Sequence, residues 1–351
     1  MPKLALIILI LGGLISRYQS APLKKPQQEA SDSAIVSLGH FLFFDKHLSK
    51  NGTKSCSSCH APELAFTDGY RRSLGAEADL QAHNAPTLLN IADYKTFHWA
   101  DTTVKTLEQQ VLKPLFASHP LELGLAQNDS AFLTYFNQNN RYQALFYRAF
   151  PTEKAFNYSH IIRALAAYTR SLRSQNSAYD RYRKGDTTAI TRIEKRGEFL
   201  FFQQLKCGVC HPYPAFTTAT MTTKAYSNIG LYLHYPAHDE GLYETTKHRS
   251  DRGKFRIRTL RNVWLTAPYM HDGSVRDLPE VIDIFAAAGR AILYGEHKGD
   301  GAKNRQKSSK ITNFQLSPTE KRALLAFLTA LTDTSYLKNP HFQNPHLQNA
   351  F

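Results

Sequence analysis

The sequence predicts a mainly α-helical protein built from two similar halves, and three observations predict it. Amphipathic patterns with helical spacing dominate the chain, while strand patterns are few and short. One block of helix, cysteine motif and aromatic loop occurs in each half. The 351 residues, 42% of them hydrophobic with 21 Phe and 18 Tyr, suffice for two domains that each bury a core. That composition excludes a disordered chain, and no internal stretch reaches the roughly 20 apolar residues of a membrane span.

The elements follow in order. An apolar run over residues 4–15, preceded by Lys3 and ended by Arg17, reads as a secretory signal over 1–21, with cleavage near Ser20-Ala21. No Cys follows it, which argues against a lipoprotein anchor. Residues 22–33 read as a linker. Residues 34–44 form an amphipathic helix entering the first cysteine motif, and residues 191–205 enter the second in the same way. Residues 158–172 carry Ile161, Ile162, Leu165, Tyr168 and Leu172 at helical spacing. A polar Lys-Gly-Asp-Thr-Thr stretch within 183–189 marks the boundary between an N-terminal domain, 34–185, and a C-terminal domain, 186–337. The last helix has a defined start: Ser317 as N-cap, Pro318 at the first turn and Glu320 closing a capping box. Its apolar face is Leu324, Leu325, Phe327, Leu328 and Leu331. Residues 338–351 read as a loose tail.

All four cysteines fall in two copies of one pattern, Cys56-Ser57-Ser58-Cys59-His60 and Cys207-Gly208-Val209-Cys210-His211. C-x-x-C-H is the spacing of c-type haem attachment. Two thiols so placed reach the two vinyl groups of one porphyrin, and the following His ligates iron as the proximal ligand. Two disulfides or a four-Cys zinc site would leave the two histidines without a role, and a redox C-x-x-C pair expects a βαβ setting that the sequence lacks. The motifs lie inside the repeat. Gly39-His40-Phe41-Leu42-Phe43-Phe44 matches Gly197-Glu198-Phe199-Leu200-Phe201-Phe202 before them, and Ala65-Phe66-Thr67 matches Ala215-Phe216-Thr217 after them. Two haems c, one per half, are expected.

The 43 Lys and Arg outnumber the 29 Asp and Glu, for a formal charge of +14. The basic residues are scattered, without the block that tracks phosphates. An acidic protein partner fits this better than nucleic acid does, and a solvated basic surface with no particular partner fits equally.

The segment Thr259-Leu260-Arg261-Asn262-Val263-Trp264-Leu265-Thr266-Ala267-Pro268-Tyr269-Met270-His271-Asp272-Gly273-Ser274 resembles the di-haem cytochrome c peroxidase and MauG superfamily, over residues 34–335. Within it, Leu48-Ser49-Lys50-Asn51-Gly52-Thr53, Glu63-Leu64-Ala65-Phe66-Thr67-Asp68-Gly69, His119-Pro120-Leu121-Glu122-Leu123-Gly124 and Asn228-Ile229-Gly230-Leu231-Tyr232 are similar to the MbnH-like enzymes. The resemblance implies two α-helical cytochrome c domains whose haems face a shared interface. It assigns peroxide chemistry to the first haem and electron transfer to the second.

Further roles follow from the resemblance, residue by residue. Ala76 stands where a blocking distal His would be, and His83 falls at a non-ligand position, so the first iron is expected five-coordinate. Glu122 matches the carboxylate that moves the peroxide proton, with Gln110 beside it. Trp99 matches the indole that relays electrons between the haems. By residue type alone, Glu122 and Gln110 would be solvated or capping groups and Trp99 a core aromatic. Asn84, Thr266 and Pro268 match an interdomain calcium site, the last two through carbonyls. Trp264 has no counterpart and is expected in the core. The sixth ligand of the second haem falls at Phe285, fourteen residues after His271, and Phe cannot coordinate iron. Met270, Tyr294, His297 and an open site remain as alternatives.

The resulting expectation is an exported, periplasmic di-haem enzyme that uses hydrogen peroxide to oxidise a partner protein, with a Trp on a metal-binding protein as the target type. A conventional peroxidase fed by a small cytochrome or cupredoxin is the nearest alternative. A non-catalytic electron carrier is the other.

Overall fold

The computed structural model of the protein describes residues 26–126 and 130–347. The expected leader over 1–21, the start of the linker and the last residues of the tail lie outside the described residues. Among the described residues the helices are α1 (Pro26–Phe44), α2 (Leu107–Phe116), α3 (Ser130–Gln138), α4 (Asn140–Ala149), α5 (Tyr158–Ser171), α6 (Ala178–Arg183), α7 (Arg192–Phe199), α8 (Tyr243–Thr246), α9 (Leu278–Ala286) and α10 (Pro318–Ala330). The strands form two antiparallel two-residue pairs, β1 (Tyr226–Ser227) with β2 (Phe255–Arg256) and β3 (Ala291–Ile292) with β4 (Gly299–Asp300).

The repeat proves to be a helix crossing. Gly39 on α1 lies so close to α5 that a Cβ there would stand 1.9 Å from the Ala164 carbonyl oxygen. Gly197 on α7 meets α10 in the same way, 2.0 Å from the Ala323 carbonyl oxygen. Only glycine lets two backbones approach this closely. Each half therefore pairs its entry helix with its closing helix, and the aromatic residues after the glycine fill the space beside the crossing. Phe43 packs on Phe66 and Tyr168 in the first half, and Phe201 on Phe216 and Phe327 in the second.

Local signals set most helix ends. The side chains of Asn157, Thr191 and Ser317 cap α5, α7 and α10, and each joins a reciprocal capping box. α7 continues into a π-helical turn, Leu200–Gln204, which carries the chain to Cys207. α1 begins at Pro26, earlier than expected, so much of the presumed linker is helical. Pro26 at the first helical position is a start signal, but the polar sequence after it shows no apolar stripe to read it with.

Packing divides the chain differently from the linear boundary. α6 sits before residue 186, yet its Tyr179 is buried in the C-terminal core against Phe216 and Phe327. The end of the expected C-terminal domain and the start of the expected loose tail, residues 336–342, return together to the N-terminal half. There Tyr336 and Phe342, each 5% exposed, pack against Phe66, and the Tyr336 hydroxyl donates to the Pro62 carbonyl at 2.8 Å. Tyr336→Phe is expected to lower stability by about 1 kcal/mol, since it removes one buried hydrogen bond and little volume. Denaturant unfolding checks this.

The halves meet through backbone as well as side chains. Arg256 N donates to Trp99 O, Lys95 N to Ala219 O, and Thr259 N to the Tyr94 hydroxyl. An apolar cluster crosses the same seam, with Ile91, Tyr94, Phe97 and Leu107 from the first half and Ala219 and Ala225 from the second. Trp264 departs from expectation: it is 50% exposed. Its neighbours Val263 and Leu265 pack on the C-terminal and N-terminal cores respectively, which turns the indole between them outward. No helix among the described residues is long and apolar enough to cross a membrane.

Candidate active site

The two C-x-x-C-H motifs form matching one-turn helices, Cys56–Ser58 and Cys207–Val209, and the four cysteines form no disulfide. His60 Nδ1 lies 2.9 Å from the Phe66 carbonyl oxygen, and His211 Nδ1 lies 2.9 Å from that of Phe216. A carbonyl only accepts, so both Nδ1 atoms carry the proton. This leaves each Nε2 lone pair free for a metal. Phe66 and Phe216 both have left-handed backbones, φ 59° and 51°, which turn their carbonyls back towards the imidazoles. The aromatic loop of the repeat thus orients the histidine.

A cavity of about 560 Å³ opens beside His60, with Cys56 and Cys59 in its wall. Its size suits a cofactor site, and the paired thiols and the oriented imidazole suit a covalent haem. Glu122, Gln110 and Trp99 line the same cavity. The surrounding protein removes Glu122 from water and pushes its carboxyl up to about 7. Gln110 Oε1 is buried without a hydrogen-bond partner among the described residues, beside a cavity that the Gln110 side chain helps to line.

The loop bearing Glu122 is clamped to the loop bearing Ala76. Ala76 N donates to Glu122 O at 2.7 Å, and the Gln81 amide donates to Leu121 O at 2.8 Å. A Cβ on Gly75 would stand 1.9 Å from Leu121 O, so glycine is required for this contact. The Ala76 side chain is buried at this seam.

Trp99 is held at the junction of the halves. Its indole N–H donates to the Asn84 carbonyl at 3.0 Å, and the Arg258 guanidinium lies 5.0 Å from its ring centroid. Asn84 N in turn donates to His271 O at 2.7 Å. His83 also lines the cavity, but its Nε2 lies 3.0 Å from one oxygen of Asp239, while His271 Nε2 lies 3.1 Å from the other. Burial opposes ionisation of Asp239, but its bonds to His271 and His83 outweigh that and hold the carboxyl well below the usual range. Arg258 and Asp239 carry no motif signal in the sequence, and only the fold brings them here.

Beside Cys210 lies a second cavity of about 760 Å³, walled in part by Lys224, Arg249, Lys254, Lys307 and Lys310. None of the four residues around the second-haem question lines it. Phe285 is half-buried near the end of α9, and Met270 packs against the cluster of Leu231, Tyr232, Val275 and Ile284. Tyr294 is 84% exposed on the β3–β4 turn, and His297 packs on the Tyr232 ring at 4.9 Å. At the expected calcium position, the Asn84 amide nitrogen donates to Tyr70 O at 2.9 Å, which turns Oδ1 away as a neutral oxygen donor. Among the described residues no group of three or more His, Cys, Asp or Glu side chains is arranged to hold a metal ion.

Comparison with known proteins gives one answer. The family described as di-haem cytochrome c peroxidase matches residues 33–188. The chain is 31% identical over 315 residues to the methylamine utilization protein MauG of Methylorubrum extorquens, which covers 90% of this chain and 82% of that one. It is 30% identical over 299 residues to the cytochrome c551 peroxidase of Nitrosomonas europaea, covering 84% and 81%. Among solved structures, a MauG-like protein associated with microbial copper homeostasis superposes with a TM-score of 0.87. It is 38% identical and covers 95% of this chain and 99% of that one.

Proposed function

The chain belongs to the di-haem cytochrome c peroxidase and MauG family, and from that membership we propose that it is a MauG-like periplasmic enzyme that oxidises a partner protein with hydrogen peroxide. The observation that carries this reading is Glu122, a carboxyl with a pKa near 7 in the wall of the His60 cavity. Cys56 and Cys59 hold one haem c with His60 as its ligand, and Cys207 and Cys210 hold the other with His211. When bound, haem supplies the iron and the redox chemistry towards peroxide.

The protein's own groups do the rest. The Phe66 carbonyl fixes the His60 ring by its Nδ1, so that Nε2 would be the atom available to a haem iron. Glu122 takes a proton from the inner peroxide oxygen and returns it to the outer one, which a carboxyl poised near neutral pH does in both directions. Gln110, whose side chain lines the same cavity, is the polar group beside Glu122. Ala76, whose N–H is held by the Glu122 carbonyl, stands where the resemblance would place a blocking imidazole, and His83 on the same segment is engaged by Asp239. Trp99 passes electrons between the halves. Its N–H donates to a backbone carbonyl, which takes no proton, so the indole is oxidised and reduced without losing one. Were a calcium ion to sit between the halves, as the resemblance implies, Asn84 Oδ1 and the carbonyls of Thr266 and Pro268 would be its neutral oxygen ligands.

The partner is an exported protein; the 38% identity to a MauG-like protein associated with copper homeostasis supports a metal-binding one, and a Trp as the oxidised residue rests on the motif resemblance to the MbnH-like enzymes alone. A conventional peroxidase reading is supported by the similarity to the cytochrome c551 peroxidase; it requires an electron-donor protein in place of an oxidised one.

The test is a resting-state EPR spectrum of the isolated ferric holoprotein followed by a peroxide titration. A high-spin ferric signal that disappears with one equivalent of peroxide is expected. Two low-spin signals that ignore peroxide would leave only an electron carrier.

A further inference from the structure

Residues 257 and 258 form a wall one residue thick between the two cavities. Ile257 lines the cavity beside Cys210, and the Arg258 side chain lines the one beside His60. Alternation along an extended segment sends the two side chains to opposite faces. The segment is fixed on both sides, by Ile257 N donating to Ala225 O at 2.9 Å and by the Thr217 hydroxyl donating to Ile257 O at 2.5 Å. The Arg258 carbonyl lies against the His211 imidazole.

The guanidinium is held in place but not neutralised. It stands over the rings of Trp99 at 5.0 Å and Tyr94 at 5.8 Å, and one Nη donates to the Thr87 carbonyl at 3.3 Å. Its Nε is buried with no hydrogen-bond partner, and none of its ion pairs with a protein carboxylate appears among the described residues. A buried cation is costly unless an anion meets it, and an orphaned buried N–H marks the direction from which that anion comes. The Arg258 side chain lines the cavity that suits the first haem, so an anion bound there is within its reach. Haem carries two carboxylates, and a guanidinium edge matches a carboxylate with two parallel N–H···O bonds.

We propose that Arg258 is a positioning residue whose guanidinium receives a carboxylate of the haem on the His60 side. It ties that haem's edge to the face of Trp99 and sets the haem's potential through its charge. The assignment rests on the reading that Cys56, Cys59 and His60 hold a haem.

Spectroelectrochemical titration of the holoprotein tests it without peroxide, so failure of the peroxide reaction leaves this result unaffected. Absence of haem on Cys56 and Cys59 would be seen at once in the mass of the purified protein. In Arg258→Gln the first haem's midpoint potential is expected to move to a more negative value, because a cation that stabilises the reduced state is gone. The second haem's potential should move much less. Arg258→Lys keeps the charge and should stay close to wild type, while its resonance Raman propionate mode shifts because the two-bond fork is lost. An unchanged first potential in Arg258→Gln, equal shifts at both haems, or a Lys variant that shifts as far as the Gln variant would overturn the assignment. If Arg258→Gln yields no holoprotein, the Lys variant decides alone: an unaltered propionate mode rejects the contact.

Discussion

Glu122→Gln is expected to slow reaction with hydrogen peroxide by about 10²- to 10⁴-fold, the range general acid–base groups contribute. The substitution keeps the shape of the side chain and removes its ability to accept and return a proton. Its backbone carbonyl still receives Ala76 N, so the clamp between the two loops survives. Burial raises this carboxyl to about 7, so the wild-type rate should rise as the pH passes through neutrality and the carboxylate becomes populated. The Gln variant should lose that step. Folding favours the protonated form here, so ionising Glu122 costs stability as pH climbs above the ordinary carboxylate range. At pH 8 the variant should therefore be no less stable than wild type. Stopped-flow mixing with peroxide reads the rate; an unchanged rate with an unchanged pH profile takes Glu122 out of the chemistry.

Arg261→Met is expected to cost about 3–5 kcal/mol of stability, since it strands a buried carboxylate. Arg261 and Asp180 are 7% and 3% exposed at the side chain, and both guanidinium Nη atoms reach the carboxylate oxygens at 2.8 Å. Arg261 Nε also donates to Pro214 O at 2.8 Å, just beyond His211. The pair thus braces α6 against the second haem motif. Burial opposes ionisation of Asp180, but the bonds to Arg261 and Ser177 prevail and hold its pKa below the ordinary value. The stability this contributes is present above the unfolded pKa, near 3.9, and is lost as pH falls through the folded one. Arg261→Met should flatten that acid limb, and adding Asp180→Leu should recover part of the loss. Urea unfolding at pH 7 and at a pH below about 3 measures both. A cost below about 1 kcal/mol at pH 7 would mean that the pair is not buried as described.

The helices that sequence reasoning found best are those whose ends are marked by caps. The α5 helix runs Tyr158–Ser171 against an expectation of 158–172, and α10 starts at Pro318 behind Ser317 as expected. The early start of α1 was missed because its first turns carry neither a cap nor an apolar stripe. Trp264 was misplaced for a different reason. It sits in an apolar run, but its two neighbours are drawn into different cores, and a residue between two cores has nothing to bury against. The fold of residues 335–342 onto Phe66 gave no local signal, because the contact spans most of the chain.

What the chain determined by itself is the chemistry that contiguous residues carry: two thiols and an imidazole per motif, a glycine where helices must touch, and a phenylalanine whose carbonyl aims the histidine. Those functions need a fixed spacing over a few residues, so they are written locally and written twice. The tertiary structure alone decided that Glu122 has a pKa near neutrality, that Arg258 stands over Trp99, and that Asp239 ties His83 to His271. Each of these depends on desolvation or on charge across the seam between halves. Such effects arise only after residues far apart in the chain have displaced the water between them.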